Sequence, residues 1–149
     1  MTERTTTQQP NPEQLAMTMK YTVNAHIGRT HYRTEIRTAT QLIIADEPFS
    51  NGGQDLGFCP HELLIAALAG CTNATLRMYA DRKEWPLEAV DTHVEIEHGD
   101  TFDQTRIHRT IRLTGPLTTE QKDRLLQIAN RCPIHRTLSG DLAISSELA

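Results

Sequence analysis

The chain has 149 residues and carries 15 Lys+Arg against 19 Asp+Glu, a formal charge of −4 at pH 7. A chain of this length is most simply one domain, and without a Lys/Arg run it lacks the electrostatic footprint of a nucleic-acid binder. Three cysteines, Cys59, Cys71 and Cys132, are too few and odd in number for a disulfide scaffold.

The opening "MTERTTTQQPNPEQ" has no apolar segment of the secretory type. The longest apolar run, Leu63 to Ala69, is far below the roughly 20 residues that span a bilayer. A cytoplasmic protein with no membrane and no nucleic-acid partner is expected. In a reducing compartment its thiols are packing residues, metal ligands or redox groups.

Residues 1–14, rich in Thr, Gln and Pro, read as a flexible tail, with one domain over 15–149. From Met17 three extended stretches follow: "MTMKYTVNAHIG", "THYRTEIRT" and "TQLIIADEP", the first two with alternating polarity and a hairpin turn at Gly28-Arg29. "DEPFSNGGQDLGF" is a loop dense in Gly, Asn, Asp and Pro. A long helix starts at Pro60, whose missing N–H costs nothing at a first helical position, with Glu62 placed to reach back and cap the entering chain. Its first half, Leu63 to Cys71, is apolar all round and reads as a buried central helix. The second half is amphipathic and stops before Pro86.

"LEAVDTHVEIEH" and "TRIHRTIRLTG" read as a second strand pair. "LTTEQKDRLLQIANRC" is an amphipathic helix capped by Thr118 or Thr119, with Leu125, Leu126, Ile128 and Ala129 facing inward. "CPIHRTLSG" opens a short helical turn, and "DLAISSEL" reads as a closing strand. The order βββ-α-ββ-α-β is α+β, with antiparallel strands around a long helix.

Buried free cysteines usually pack and do not react, and Cys71 lies too far into its helix to feel the N-terminal dipole. A reactive thiolate there needs a side-chain cation. Arg29, Arg33 and Arg37, in or beside the first hairpin, are the candidates, with surface charge as their default role. Cys132 sits at the cap of a helical turn but also near the carboxyl end of the preceding helix, so its two local fields oppose. Cys59 holds the equivalent cap before Pro60, where Ser or Asn would serve better. His61 reads as a solvated histidine. Cys59-x-His61 and Cys132-x-x-His135 offer zinc-type ligands, but not at the usual spacings.

The segments "DEPFSNGGQDLGFCPHELLIAALAGCTNATLRMYADRKEWPLE" and "RTIRLTGPLTTEQKDRLLQIANRCPIHRTLSG" resemble the OsmC/Ohr family, the osmotically inducible and organic hydroperoxide resistance proteins. The specific part is Cys71 in "ELLIAALAGCT" paired with Cys132 in "IANRCPIHRTL". The resemblance implies an OsmC-like fold in an intertwined homodimer, with two thiol-peroxidase sites at its interface. It implies Cys71 as the peroxidatic and Cys132 as the resolving cysteine, and a catalytic arginine from an early strand region, nearest to Arg29 and next Arg33. In the best-characterised relatives the helix opens Asn-Pro-Glu and that glutamate holds the arginine. Here His61 follows Pro60 and Glu62 sits one place later, a rotation of about 100° on a helix. The chain resembles more closely a divergent OsmC-like branch.

The expected activity is therefore reduction of organic hydroperoxides through a Cys71 sulfenate and a Cys71–Cys132 disulfide, with Glu62 and Arg29 completing the site. No metal or organic cofactor is implied, only an external dithiol or lipoyl-type reductant. Leu64, Leu68, Phe58 and Met78 are the expected apolar walls. A thiol protein acting on another electrophile, or a non-catalytic ligand- or metal-binding module, are the alternatives.

Overall fold

The structure, a computed structural model, describes residues 19–149. The expected flexible tail, residues 1–14, and the start of the first stretch at Met17 lie outside them. Strands β1 (Asn24–Ile27), β2 (Thr34–Arg37) and β3 (Leu42–Ala45) form an antiparallel sheet in that order. Ile27 pairs with Thr34, so Gly28-Arg29 belongs to a six-residue connection (residues 28–33) and is not a two-residue turn.

The loop after β3 is organised by one buried carboxylate. Asp46 accepts the backbone N–H groups of Tyr32 and Glu47 on one oxygen and of Gln54 and Leu56 on the other, at 2.8–3.2 Å. The chain folds back tightly enough that a Cβ at Gly53 or Gly57 would collide with the carbonyl of Glu47 or Ile44. Phe58 then bridges Ala45 and leads into helix α1 (Pro60–Arg82). Pro60 occupies the first helical position, and Glu62 Oε2 accepts the Cys59 N–H at 2.8 Å, the capping role expected of it.

Strands β4 (Ala89–Glu97) and β5 (Arg106–Thr114) make an antiparallel hairpin of strict alternation. Val90, Thr92, Val94 and Ile96 face inward against Ile107, Arg109, Ile111 and Leu113. Helix α2 (Thr119–Ala129) is capped by Thr118, which accepts the Gln121 N–H while Gln121 accepts the Thr118 N–H. Helix α3 (Pro133–Ser139) follows, with Cys132 at its cap. α1 packs on β4, α2 and α3, and the core gathers Leu76, Ala80, Leu87, Leu125, Ile128 and Ala129.

Three further expectations are corrected. Leu126 is 57% exposed, because Leu125, Ile128 and Ala129 already fill the inward face of α2. Residues 141–149 form no strand: Ile144 is 89% exposed, and the segment pairs with no strand among the described residues. The buried part of α1 is its amphipathic second half. In its all-apolar first half only Leu68 is buried, and Leu64, Ala67 and Gly70 are exposed. Although no apolar run reaches bilayer length, α1 as a whole is long and apolar enough to do so by length and composition. Its second half is instead occupied by the protein core.

Burial pushes the Asp46 carboxyl up, but the four N–H groups outweigh it and hold it below the usual carboxylate range. A lowered folded value contributes stability that is present above the ordinary value of about 4 and lost as pH falls through the folded one. Asp46→Asn should lower the melting temperature by several degrees at pH 7 and flatten its decline below about pH 4, measured by thermal unfolding across pH. An unchanged melting curve would mean that the loop holds without its carboxylate.

Candidate functional site

Two cysteines meet where α3 crosses the middle of α1. Cys132 is fully buried, and its Sγ accepts the His135 N–H at 3.3 Å. The Cys71 thiol is half-buried, with the Ile134 N–H, the Cys132 thiol and the Thr75 hydroxyl near enough to act on its ionisation. Both sulfurs thus stand beside N–H groups that the first turn of a helix leaves without intrahelical partners. The sequence brings them together across 61 positions because Cys132 caps a turn seated on α1.

Burial pushes the Cys71 thiol above its ordinary value, the Ile134 N–H pulls the other way, and the neighbouring Cys132 adds to the rise. The His135 imidazole does not supply a compensating charge. Burial and the Arg109 guanidinium both hold its pKa down, so it stays neutral.

Arg109 fastens the two cysteine-bearing segments. It stands on the otherwise apolar face of β5, opposite Val94. Its Nη1 donates to the Thr72 hydroxyl at 2.7 Å and its Nη2 to Asn130 Oδ1 at 3.1 Å. Thr72, fully buried, in turn donates to the Leu68 carbonyl at 2.7 Å. One guanidinium therefore bridges the residue after Cys71 and the residue two before Cys132. The signal was present in "TRIHRTIRLTG", where Arg109 falls in register with Ile107, Ile111 and Leu113, but alternation alone did not assign it a role.

The crossing turn leaves a hollow on either side. One, about 430 Å³, is lined by Cys71, Thr75, Met78 and Tyr79 of α1, by Ile128 of α2 and by arginines. The other, about 540 Å³, includes Leu64, Leu68, Ile96, Ile107 and Leu126. Of the expected apolar walls only Met78 lies beside Cys71. Leu64 and Leu68 are on the far side of the turn, and Phe58 is 56% exposed at the head of α1.

Glu62 and Arg29 are not brought to Cys71 within one chain. Glu62 caps α1 nine residues earlier, about 14 Å along the helix axis. Arg29 is exposed in the β1–β2 connection and is not among the groups that act on Cys71. Arg33 and Arg37 share a strand face and both pair with Glu35, at 3.0 and 2.7 Å. His61 packs edge-on against His98 at 5.0 Å between ring centres. Cys59 and His61 sit at the head of α1 while Cys132 and His135 sit beside its middle. Among the described residues no three His, Cys, Asp or Glu side chains converge as metal ligands.

The OsmC family model, described as OsmC-like protein, matches residues 52–147, and the chain belongs to that family. No curated protein sequence matches it. Among solved structures, an OsmC-like protein from Mycoplasma pneumoniae superposes with a TM-score of 0.72 at 23% identity, covering 83% of this chain and 90% of that one. A putative osmotic stress induced and detoxification response protein from Psychrobacter arcticus gives 0.68 at 22% identity, covering 80% and 88%. An organic hydroperoxide resistance protein OsmC from Legionella pneumophila gives 0.60 at 24% identity, covering 80% and 90%. At these identities the likeness establishes the α+β fold.

Removing the Arg109 bridge should destabilise the chain, because the Thr72 hydroxyl loses a charged donor in a buried position. Arg109→Leu is expected to cost about 1–2 kcal/mol in urea unfolding. Arg109→Lys should recover only part of that, since an ammonium lacks the planar fork that aims two N–H donors at acceptors on separate helices. Equal stability of wild type and Arg109→Leu would show that the bridge contributes nothing.

Proposed function

We propose that this protein is a thiol-dependent peroxidase that reduces organic hydroperoxides through Cys71 and Cys132. The observation that carries this reading is the placement of the two thiols near enough to act on each other, beside a hollow with an apolar floor. The names of related structures, organic hydroperoxide resistance proteins among them, agree with it.

The Cys71 thiolate attacks one peroxide oxygen of ROOH, breaking the O–O bond. The departing alkoxide takes a proton and leaves as ROH, and Cys71 becomes a sulfenic acid. The Cys132 thiol then displaces that hydroxyl as water, forming the Cys71–Cys132 disulfide. An external dithiol, of the lipoyl type, reduces the disulfide by two exchange steps and is itself oxidised to a disulfide. No metal or organic cofactor enters the cycle.

The first step requires a thiolate, and the surroundings within one chain disfavour it. The reading therefore includes a homodimer, in which Arg29, oriented by Glu62, reaches Cys71 from the second copy. The uncovered apolar half of α1 supports that assembly, as do the exposed Leu42, Ile43, Leu56 and Phe58. So does the closing segment, which pairs with no strand among the described residues of its own chain.

Peroxide consumption with a dithiol reductant tests the scheme. Cys71→Ser should abolish turnover, whereas Cys132→Ser should stop at the sulfenic acid and overoxidise. Arg29→Gln should move the midpoint of Cys71 alkylation to higher pH in a protein that sediments as a dimer. If the Cys71→Ser variant turns over like wild type, the assignment is wrong. If the Arg29→Gln alkylation curve is unshifted, the arginine is another one.

A further inference from the structure

A sulfenic acid at Cys71 has two fates. It can lose its hydroxyl to Cys132, or it can meet a second peroxide and become a sulfinic acid that thiols do not reduce. The outcome depends on how well Cys132 is held over Cys71, because a displacement between two groups of one chain gains its rate from position.

Local bonds do not hold Cys132 there. Residues 130–132 join α2 to α3, and their backbone is tied to those two helices. The Arg131 N–H donates to the Ile128 carbonyl at 2.9 Å, the Cys132 N–H to the Ala129 carbonyl at 3.3 Å, and the Cys132 carbonyl accepts the Arg136 N–H at 3.1 Å. None of these bonds reaches α1. The Cys132 sulfur also accepts the His135 N–H, a bond it must leave to join Cys71. The polar tie from this segment to α1 runs through Arg109, which donates to Asn130 on one side and to Thr72 on the other. Thr72 is fixed in turn. It is fully buried and its hydroxyl proton is committed to the Leu68 carbonyl, so its oxygen faces Arg109 in a set direction. Arg109 is seated between Ile107 and Ile111 on the inward face of β5, and among the described residues no ion pair draws it away.

We propose that Arg109 is the positioning residue of the resolving step: by tying Thr72 to Asn130 it keeps Cys132 over Cys71 and decides between disulfide and sulfinic acid. The inference rests on the peroxidase reading and adds to it a control on how much oxidant the site survives. In one branch the Cys71 sulfenic acid and the Cys132 thiol give the disulfide and water. In the other the sulfenic acid and a second ROOH give the Cys71 sulfinic acid and ROH. The guanidinium exchanges no proton in either branch. Its planar fork sets the spacing between the residue after Cys71 and the residue two before Cys132.

The test mixes reduced protein with rising concentrations of cumene hydroperoxide and separates disulfide from sulfinic acid by peptide mass mapping. Both products come from the same sulfenic acid, so their ratio does not depend on how fast it forms. The peroxide concentration that gives equal amounts should fall by on the order of tenfold in Arg109→Leu, with Arg109→Lys between that variant and wild type. Arg77→Leu is the control. Arg77 donates to the Leu87 and Glu88 carbonyls at 2.6 and 2.9 Å, so its loss loosens packing on α1 without touching the Cys132 segment, and the crossover should stay at the wild-type value. An unchanged crossover in Arg109→Leu, or an equal shift in Arg77→Leu, would overturn the inference. If Arg109→Leu does not fold, Asn130→Ala, which cuts only the Cys132 arm, decides by the same criteria. If no hydroperoxide oxidises Cys71, the peroxidase reading fails and the tie is judged in a dithiothreitol redox buffer. A Cys71–Cys132 disulfide that opens at on the order of tenfold less reduced dithiothreitol in Arg109→Leu upholds it. An equal midpoint, or no disulfide in wild type, overturns it.

Discussion

Everything in the proposed site depends on one crossing: the Cys132 turn lying across the middle of α1. Two sulfur atoms far apart in sequence stand at a single helical turn: Cys132 accepts the His135 N–H, and the Ile134 N–H eases the ionisation of Cys71. The crossing is held from below by Leu125, Ile128 and Ala129 packed on Leu76 and Ala80, and from the side by Arg109. Because the turn sits over Cys71, it also divides the α1 surface into two hollows with different chemistry. Its position defines which side chains meet the thiol.

The same geometry sets a problem for the chemistry. A thiol that is partly buried beside a second thiol resists ionisation, and the neutral His135 does not help it. A cation must come from elsewhere if Cys71 is to be a nucleophile. The uncovered first half of α1 and the three-stranded sheet, with Leu42 and Ile43 exposed, are both incomplete as they stand in one chain. A dimer would bury apolar surface and deliver a cation in one act, so stability and reactivity are linked through the same contact.

The elements were readable because local chemistry fixed them. Pro60 with Glu62, Thr118 with Gln121, and Cys132 before Pro133 each mark a helix start by backbone groups satisfied within a few residues. The alternation in "LEAVDTHVEIEH" and "TRIHRTIRLTG" gave the hairpin its faces. The contact of Cys71 with Cys132 was legible only through family resemblance, since no periodicity relates the two positions. Asp46 and Arg109 were missed for a different reason. The roles of both come from groups distant in sequence: four N–H donors around one carboxylate, and two acceptors on separate helices. The closing strand failed because alternation in "DLAISSEL" describes a pairing preference without naming a neighbour.

The most direct measurement is intact mass and peptide mapping of the reduced protein after one equivalent of cumene hydroperoxide. The account requires loss of two hydrogens and a peptide linking Cys71 to Cys132, with Cys59 still alkylatable. Three free thiols after exposure, or a disulfide that includes Cys59 instead of Cys132, would contradict it.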